Sequence, residues 1–415
     1  MAITDCGGTR ATLLMCVFAF IISVCKAHAA APAVYVLGDS LVDVGNNNYL
    51  PLSIAKANFP HNGVDFPNHK PTGRFSNGEN AADFLGIWHL FCHFLLISFR
   101  MEGKHNSFVH DPHHLERNNF FHIIMYTVLL PCLAAKKIGL PTSPAYLSLI
   151  GATPPITGVS FASGGAGILN ETGGFLFKQA ISLAQQVDYF TVVHDKLVHQ
   201  LGPSGAQAHL SKSLLLIVFG SNDWFAYFRV GSIVAKQYTP QQYVDRMVST
   251  FKVLLKTLYG LGARKLVVTG VGAIGCCPIQ RKENRTGECK VEINYWSAKY
   301  NDGLKMMLQG LKSESPGMNY AYFDTYGAMV NLFQNHETYG IIWYTEIKEA
   351  CCGVGNLNAD APCTPLAIYC PNRKNHIFWD LYHPTESVAS LFSDLIYSGS
   401  QQFMVPINVE QLLAV

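Results

Sequence analysis

Short, mostly apolar runs bounded by Gly or polar residues recur along the chain, at 33–37 (AVYVL), 158–162 (GVSFA), 214–219 (LLLIVF), 264–270 (RKLVVTG) and 319–324 (NYAYFD). Runs this short, without polar alternation, suit strands buried on both faces of a parallel sheet. Longer segments with helical periodicity lie between them, near 174–195, 239–261, 290–313 and 325–336, and another follows at 384–399. Strands alternating with helices predict an α/β fold, a three-layer α/β/α sandwich around a parallel sheet. In such sheets reactive groups gather beyond the C-terminal strand ends. No tandem repeat or low-complexity linker divides the chain, so 30–415 is read as a single domain.

The N-terminus carries a different signal. One cation, Arg10, precedes the almost wholly apolar stretch 11–25 (ATLLMCVFAFIISVC), and Lys26 leads into Ala27-His28-Ala29-Ala30-Ala31. This reads as a secretory signal peptide over 1–29, cleaved after Ala29 or Ala30. The apolar stretch is shorter than the roughly 20 residues of a spanning helix, so no stable membrane span is expected. The protein is therefore expected to be secreted and extracellular.

Only 14% of residues are charged and the net charge is +2. That balance argues against a nucleic-acid partner. Cys276, Cys277, Cys289, Cys351, Cys352, Cys363 and Cys370 lie in the C-terminal half. In an oxidising compartment Cys276 and Cys289 are expected to close a short loop and leave Cys277 free. The other four allow three pairings, among which the sequence does not choose. No compact C-x-x-C pair points to a metal, and none is expected. Two sequons, at Asn170 and Asn284, are candidate glycan acceptors.

The chemistry-bearing residues follow the apolar runs. The first runs into Gly38-Asp39-Ser40-Leu41, where a glycine permits a tight strand-to-helix turn that exposes the hydroxyl. The Ser40 N–H would then face the same space near a helix N-terminus. The second run is followed by Ala162-Ser163-Gly164-Gly165-Ala166-Gly167, whose N–H groups can approach a ligand closely. The third is followed by Gly220-Ser221-Asn222-Asp223, where the Asn222 amide could donate to an oxyanion or simply form an Asx-turn. Near the C-terminus Asp380-Leu381-Tyr382-His383-Pro384 places a carboxylate where it can hold an imidazole in the tautomer of a general base.

VYVLGDSLVDVGNNN, GRFSNG, SFASGGAGIL, VFGSND, VVTGVGAIGCCP and FWDLYHPTE, in that order, resemble the plant GDSL-type esterase/lipase family of the SGNH hydrolases. The resemblance spans about 33 to 405. It implies a flavodoxin-like parallel sheet and serine ester hydrolysis with no cofactor. On matching positions it implies Ser40 as nucleophile, His383 as base and Asp380 as its partner. The oxyanion hole would comprise the Ser40 N–H, the Gly165 N–H and the Asn222 side chain, with Gly164 the alternative if the glycine turn is shifted by one. Substrates would be lipid, acetyl or small-metabolite esters, and a monomer is expected. A catalytically impaired binding protein of the same fold is the alternative, and a membrane-associated protein a third reading.

Two departures stand out. Ser160 replaces an Asn usual in the family, and its hydroxyl is expected to bond to backbone instead. The stretch 87–133 separates Ala82-Asp83-Phe84-Leu85-Gly86 from Ile138-Gly139-Leu140-Pro141, pieces that the family keeps within a few residues of each other. It holds seven of the sixteen histidines, among them His105, His110, His113, His114 and His122. It reads as a retained intron translated in frame rather than a metal site, and is expected to be poorly ordered or to lie over the surface near a helix at 78–86.

Overall fold

In a computed structural model, residues 31–87, 136–336 and 344–415 are described. The leader and almost all of the extra segment, with its histidines, Cys92 and Cys132, lie outside them. The chain divides into two units: 1–30 with 86–141, and 31–85 with 142–415. In the first, Gly86–Ile87 pairs antiparallel with Lys136–Lys137, so the ends of the extra segment leave and return side by side.

The second unit is the α/β/α sandwich. Its sheet contains β1 (Val34–Gly38), β2 (Leu214–Val218), β3 (Lys265–Thr269), β4 (Asn319–Phe323) and β5 (Met404–Val405), in that order. The first four are parallel, and β5 closes the edge antiparallel to β4. Every residue of β1 and β2 is buried, which requires cover on both faces of the sheet. The cover comes from α1 (Ala81–Phe84), α2 (Asn170–Phe177), α3 (Leu183–Lys212), α4 (Ser221–Phe228), α5 (Pro240–Gly260), α6 (Val291–Glu314), α7 (Thr325–Gln334) and α8 (Glu386–Ser398).

The run at 158–162 departs from expectation. It is not a full strand but makes an isolated parallel bridge from Ser160 to Val36 and another from Ser160 to Ala145. Hydrogen bonds from the Val36 N–H to Val159 O (3.0 Å) and from the Phe161 N–H to Val36 O (2.8 Å) still lay it along β1. With this segment outside β1, the chain crosses from one side of β1 to the other, making β1/β2 the switch point where doubly wound sheets bind ligands. The helix expected over 174–195 is in fact two. Lys178, at φ 62°, ends α2, and Ser182 with Gln185 forms a capping box that starts α3. Helix α3 then continues to Lys212 through a break at Gly202-Pro203.

Candidate active site

Gly38 ends β1 against its neighbour: a Cβ there would lie 2.3 Å from Val42 Cγ2 and 3.1 Å from Val218 O. The chain then turns back on itself, with the Val42 N–H donating to Asp39 O (3.3 Å) and the Leu41 N–H to Asp39 Oδ1 (3.0 Å). No helix begins at Ser40, contrary to the sequence reading. Asp43 accepts the Gly45 and Asn46 N–H groups at 2.7 and 2.8 Å, and this local side-chain bonding diverts the backbone. The Ser40 N–H therefore does not sit at the N-terminus of a helix formed by its own segment.

The structure brings Ser40, His383 and Asp380 together. Ser40 Oγ lies 2.8 Å from His383 Nε2 across a separation of 343 residues. His383 Nδ1 lies 2.8 Å from each oxygen of Asp380. The Tyr382 and His383 N–H groups also donate to Asp380 Oδ1, both at 2.9 Å. Burial raises the Asp380 pKa. The facing His383 charge and these hydrogen bonds outweigh it and hold the carboxyl below its usual range. The Phe75 ring packs beside the imidazole, 5.0 Å between centroids.

In the glycine turn beside Ser40 the two candidate N–H groups differ in their partners. The Gly164 N–H is committed to Asp43 Oδ2 at 2.9 Å. The Gly165 N–H makes no hydrogen bond among the described residues, and neither does that of Ser40. Gly165 sits at φ 81°, and a Cβ there would meet the Phe177 ring at 2.1 Å. Asn222 sits in the first turn of α4. Its Nδ2 donates to Ala166 O at 3.0 Å and has a weaker 3.4 Å contact with Asp39 Oδ2. Burial pushes Asp39 up to about 7.

These residues open onto a cavity of about 410 Å³. Ser40, Gly165, Asn222, Asp380 and His383 all line it, beside an apolar wall that includes Phe59, Phe177, Phe225, Met329 and Phe333. Cys277, the free cysteine among those described, also lines it, and burial pushes its thiol up to about 12. Among the described residues no cluster of His, Cys, Asp or Glu could hold a metal ion.

Several supporting residues were not singled out from sequence. Asn46 donates to Ser160 O and Ala162 O, both at 2.8 Å, and accepts the Leu147 N–H at 2.9 Å. Asn47 donates to Gly164 O at 2.8 Å and to Ala55 O at 2.9 Å. Gln186 brackets Gly38, accepting its N–H and donating to its O, both at 2.8 Å. Asp223 accepts from the Ile168 and Leu169 N–H groups and the Thr172 hydroxyl. The available signal was the density of Asp and Asn just beyond two apolar runs. Ser160 corrects an expectation: its hydroxyl is buried without a hydrogen bond among the described residues.

Cys276 bridges Cys289, Cys351 bridges Cys370 and Cys352 bridges Cys363. The two sequons differ. Asn284 and Thr286 share an exposed turn, whereas Thr172 is buried against Asp223 and Asn170 Oδ1 accepts from Ser182 Oγ at 2.8 Å.

Residues 127–396 match the sequence model of the GDSL-like Lipase/Acylhydrolase family. Curated relatives extend the similarity toward the N-terminus. GDSL esterase/lipase At5g55050 of Arabidopsis thaliana is 43% identical over 397 residues, covering 93% of this chain and 91% of its own. GDSL esterase/lipase At4g16230 of the same plant is 33% identical over 399 residues, covering 95% and 94%. The Gly38-Asp39-Ser40-Leu41 turn after β1, the imidazole facing the serine and the similarity over nine-tenths of the chain agree: the protein belongs to the GDSL-like lipase/acylhydrolase family of ester hydrolases.

Proposed function

We propose that the chain is a secreted serine ester hydrolase that works through an acyl-enzyme on Ser40. The observation that carries this reading is the Ser40–His383–Asp380 hydrogen-bonded chain in the wall of an apolar cavity. His383 Nε2 takes the Ser40 proton as Oγ attacks the ester carbonyl. The Ser40 and Gly165 N–H groups and Asn222 Nδ2 receive the oxyanion. Collapse expels the alcohol, which takes its proton from His383. Water, deprotonated by the same imidazole, then releases the acid and frees Ser40. Asp380 holds Nδ1 as the donor and stabilises the imidazolium at both stages.

The cavity suits an uncharged acyl group from a lipid, acetyl or small-metabolite ester. The apolar leader and its A-x-A site support secretion, and no helix among the described residues is long and apolar enough to cross a membrane. The working unit is taken as a monomer. Ser40→Ala and His383→Ala should each lower turnover of a soluble ester by orders of magnitude, with the double variant little worse than either. Losses that multiply in the double variant would separate the two residues into different steps. N-terminal sequencing of protein recovered from culture medium should begin at Ala30 or Ala31.

A further inference from the structure

Among the described residues that line the cavity, Lys56 is the only Lys or Arg, and the proton transfers above do not use it. It is half-buried, and its Nζ donates to Asn47 O and to Leu50 O, the latter at 2.7 Å. Hydrogen bonds from an ammonium are charge-assisted and stronger than those between neutral groups. Burial lowers the Lys56 pKa, and the charge of Asp43 opposes that. The preceding residue grips the same asparagine at its other end: Ala55 O accepts from Asn47 Nδ2 at 2.9 Å. Two consecutive residues therefore hold Asn47, one by its backbone and one by its side chain.

The same Nδ2 also donates to Gly164 O at 2.8 Å. That carbonyl belongs to the peptide unit that carries the Gly165 N–H. A trans peptide unit is planar, with its C=O and N–H pointing in opposite directions. Holding Gly164 O against Asn47 therefore turns the Gly165 N–H away from Asn47. There it makes no hydrogen bond among the described residues, and Gly165 lines the cavity. Asp43 takes the Gly164 N–H, which belongs to the peptide unit before, and leaves this one to Asn47. Neither glycine has a side chain to hold the turn, so its outside partners set the plane.

We propose that Lys56 is a positioning residue for ester hydrolysis: through Asn47 it fixes the peptide plane that presents the Gly165 N–H to the oxyanion. The inference rests on the ester hydrolase reading above. A tilted donor meets the tetrahedral oxyanion poorly but changes little for the bound ester, so the loss should fall on kcat.

Lys56→Met keeps most of the stem and removes both hydrogen bonds, whereas Lys56→Arg keeps a charged donor. The variants are compared on soluble p-nitrophenyl acetate, with the folded fraction of each read by circular dichroism. Lys56→Met should lower kcat about 10- to 100-fold and change KM less than about threefold, short of the roughly 10²–10³ expected when a donor is removed outright. Lys56→Arg should keep at least about a third of the parent kcat. An aryl trifluoromethyl ketone, whose adduct with a serine hydroxyl carries an oxyanion, should bind Lys56→Met more weakly by the factor that kcat/KM loses. Adding Lys56→Met to Asn47→Ala should slow that protein less than about threefold, because groups acting as one unit are non-additive. A purely structural lysine would lower the urea midpoint and leave kcat and ketone affinity at parent values, which would overturn the proposal. So would a loss confined to KM, an arginine variant as slow as the methionine one, or a full further loss in the Asn47→Ala background. Each of these leaves the catalytic reading standing, whereas a parent that hydrolyses no ester would sink both.

Discussion

The Ser40 side of the site and the His383 side are held by different physics. Around Ser40 the backbone is hung on buried polar side chains: Asp43 and Asn47 on the glycine turn, Gln186 on Gly38, Asp223 on the backbone of Ile168 and Leu169. Around His383 the support is covalent. Cys351 and Cys352, both in disulfides, donate their N–H groups to Phe378 O (2.9 Å) and Trp379 O (2.7 Å), just before Asp380. The Trp379 N–H then closes the loop onto His383 O at 2.8 Å. The carboxylates record the difference. Burial pushes Asp39 up to about 7 and both Asp43 and Asp223 up to about 6, because their partners are mostly neutral N–H and O–H groups. Asp380 is buried too, yet its carboxyl stays below the usual range because the facing His383 and the hydrogen bonds it accepts outweigh burial. One side is built to place atoms, the other to carry charge.

Breaking the charge-carrying side should cost most. Asp380→Asn keeps the shape but presents an NH2 to His383 Nδ1 and favours the wrong imidazole tautomer. By analogy with the serine triad, kcat should fall about 10⁴-fold with KM little changed. Steady-state kinetics on a soluble ester reads this directly. A loss under tenfold would mean that Asp380 does not orient the base.

On the placing side a single donor should cost less. Asn222→Ala removes the proposed third oxyanion donor and the tie to Ala166 O. The expected loss is about 10²–10³ in kcat, with a smaller change in KM, because the charge it meets develops only in the transition state. An unchanged kcat would leave the oxyanion to the Ser40 and Gly165 N–H groups alone.

The opposite pKa directions give the comparison a pH signature. Asp39, Asp43 and Asp223 have raised pKa values in the fold, so their contribution to stability is complete below about pH 4. It is lost as pH rises through 6 to 7. Asp380 is depressed, so its contribution is present above about pH 4 and lost as pH falls below it. Thermal unfolding should therefore show Tm falling between pH 5 and pH 8, and Asp39→Asn should flatten that fall. A Tm in Asp39→Asn that drops over this range as steeply as in the parent would show that Asp39 does not titrate there.

How much of this was legible in sequence follows the same division. Ser40, Asp380 and His383 were legible because their motifs belong to an ordered set that resembles one family, and the last two are local partners on one loop. The buried strands were legible because cover on both faces leaves an unbroken apolar run. The segment at 158–162 misled, since its composition is that of a strand but it pairs only through single bridges from Ser160 to Val36 and Ala145. β5 is two residues long and carries no periodicity to read. The supporting network was hidden because Asp43, Asn46 and Asn47 look like turn formers until the distant carbonyls and N–H groups they serve are in place. Disulfide pairing among four cysteines likewise depends on spatial neighbours, not spacing.

The smallest expected effect contrasts two serines within the placing side itself. Ser163 and Ser160 are both fully buried, three residues apart, on the segment beside β1. Ser163 Oγ donates to Asn47 Oδ1 at 2.5 Å and accepts the Ile181 N–H at 3.0 Å. Ser160 Oγ has no partner among the described residues. A buried hydroxyl that is bonded on both sides leaves two groups unsatisfied when removed, which costs roughly 1–3 kcal/mol. A buried hydroxyl with no partner has already lost its water, so its removal should be neutral or stabilising by up to about 1 kcal/mol, offset by a small void. Ser163→Ala should therefore lower the urea midpoint and reduce kcat as the glycine turn loosens. Ser160→Ala should hold or raise the midpoint and leave kcat within twofold. If Ser160→Ala destabilises as much as Ser163→Ala, the Ser160 hydroxyl has a partner in solution.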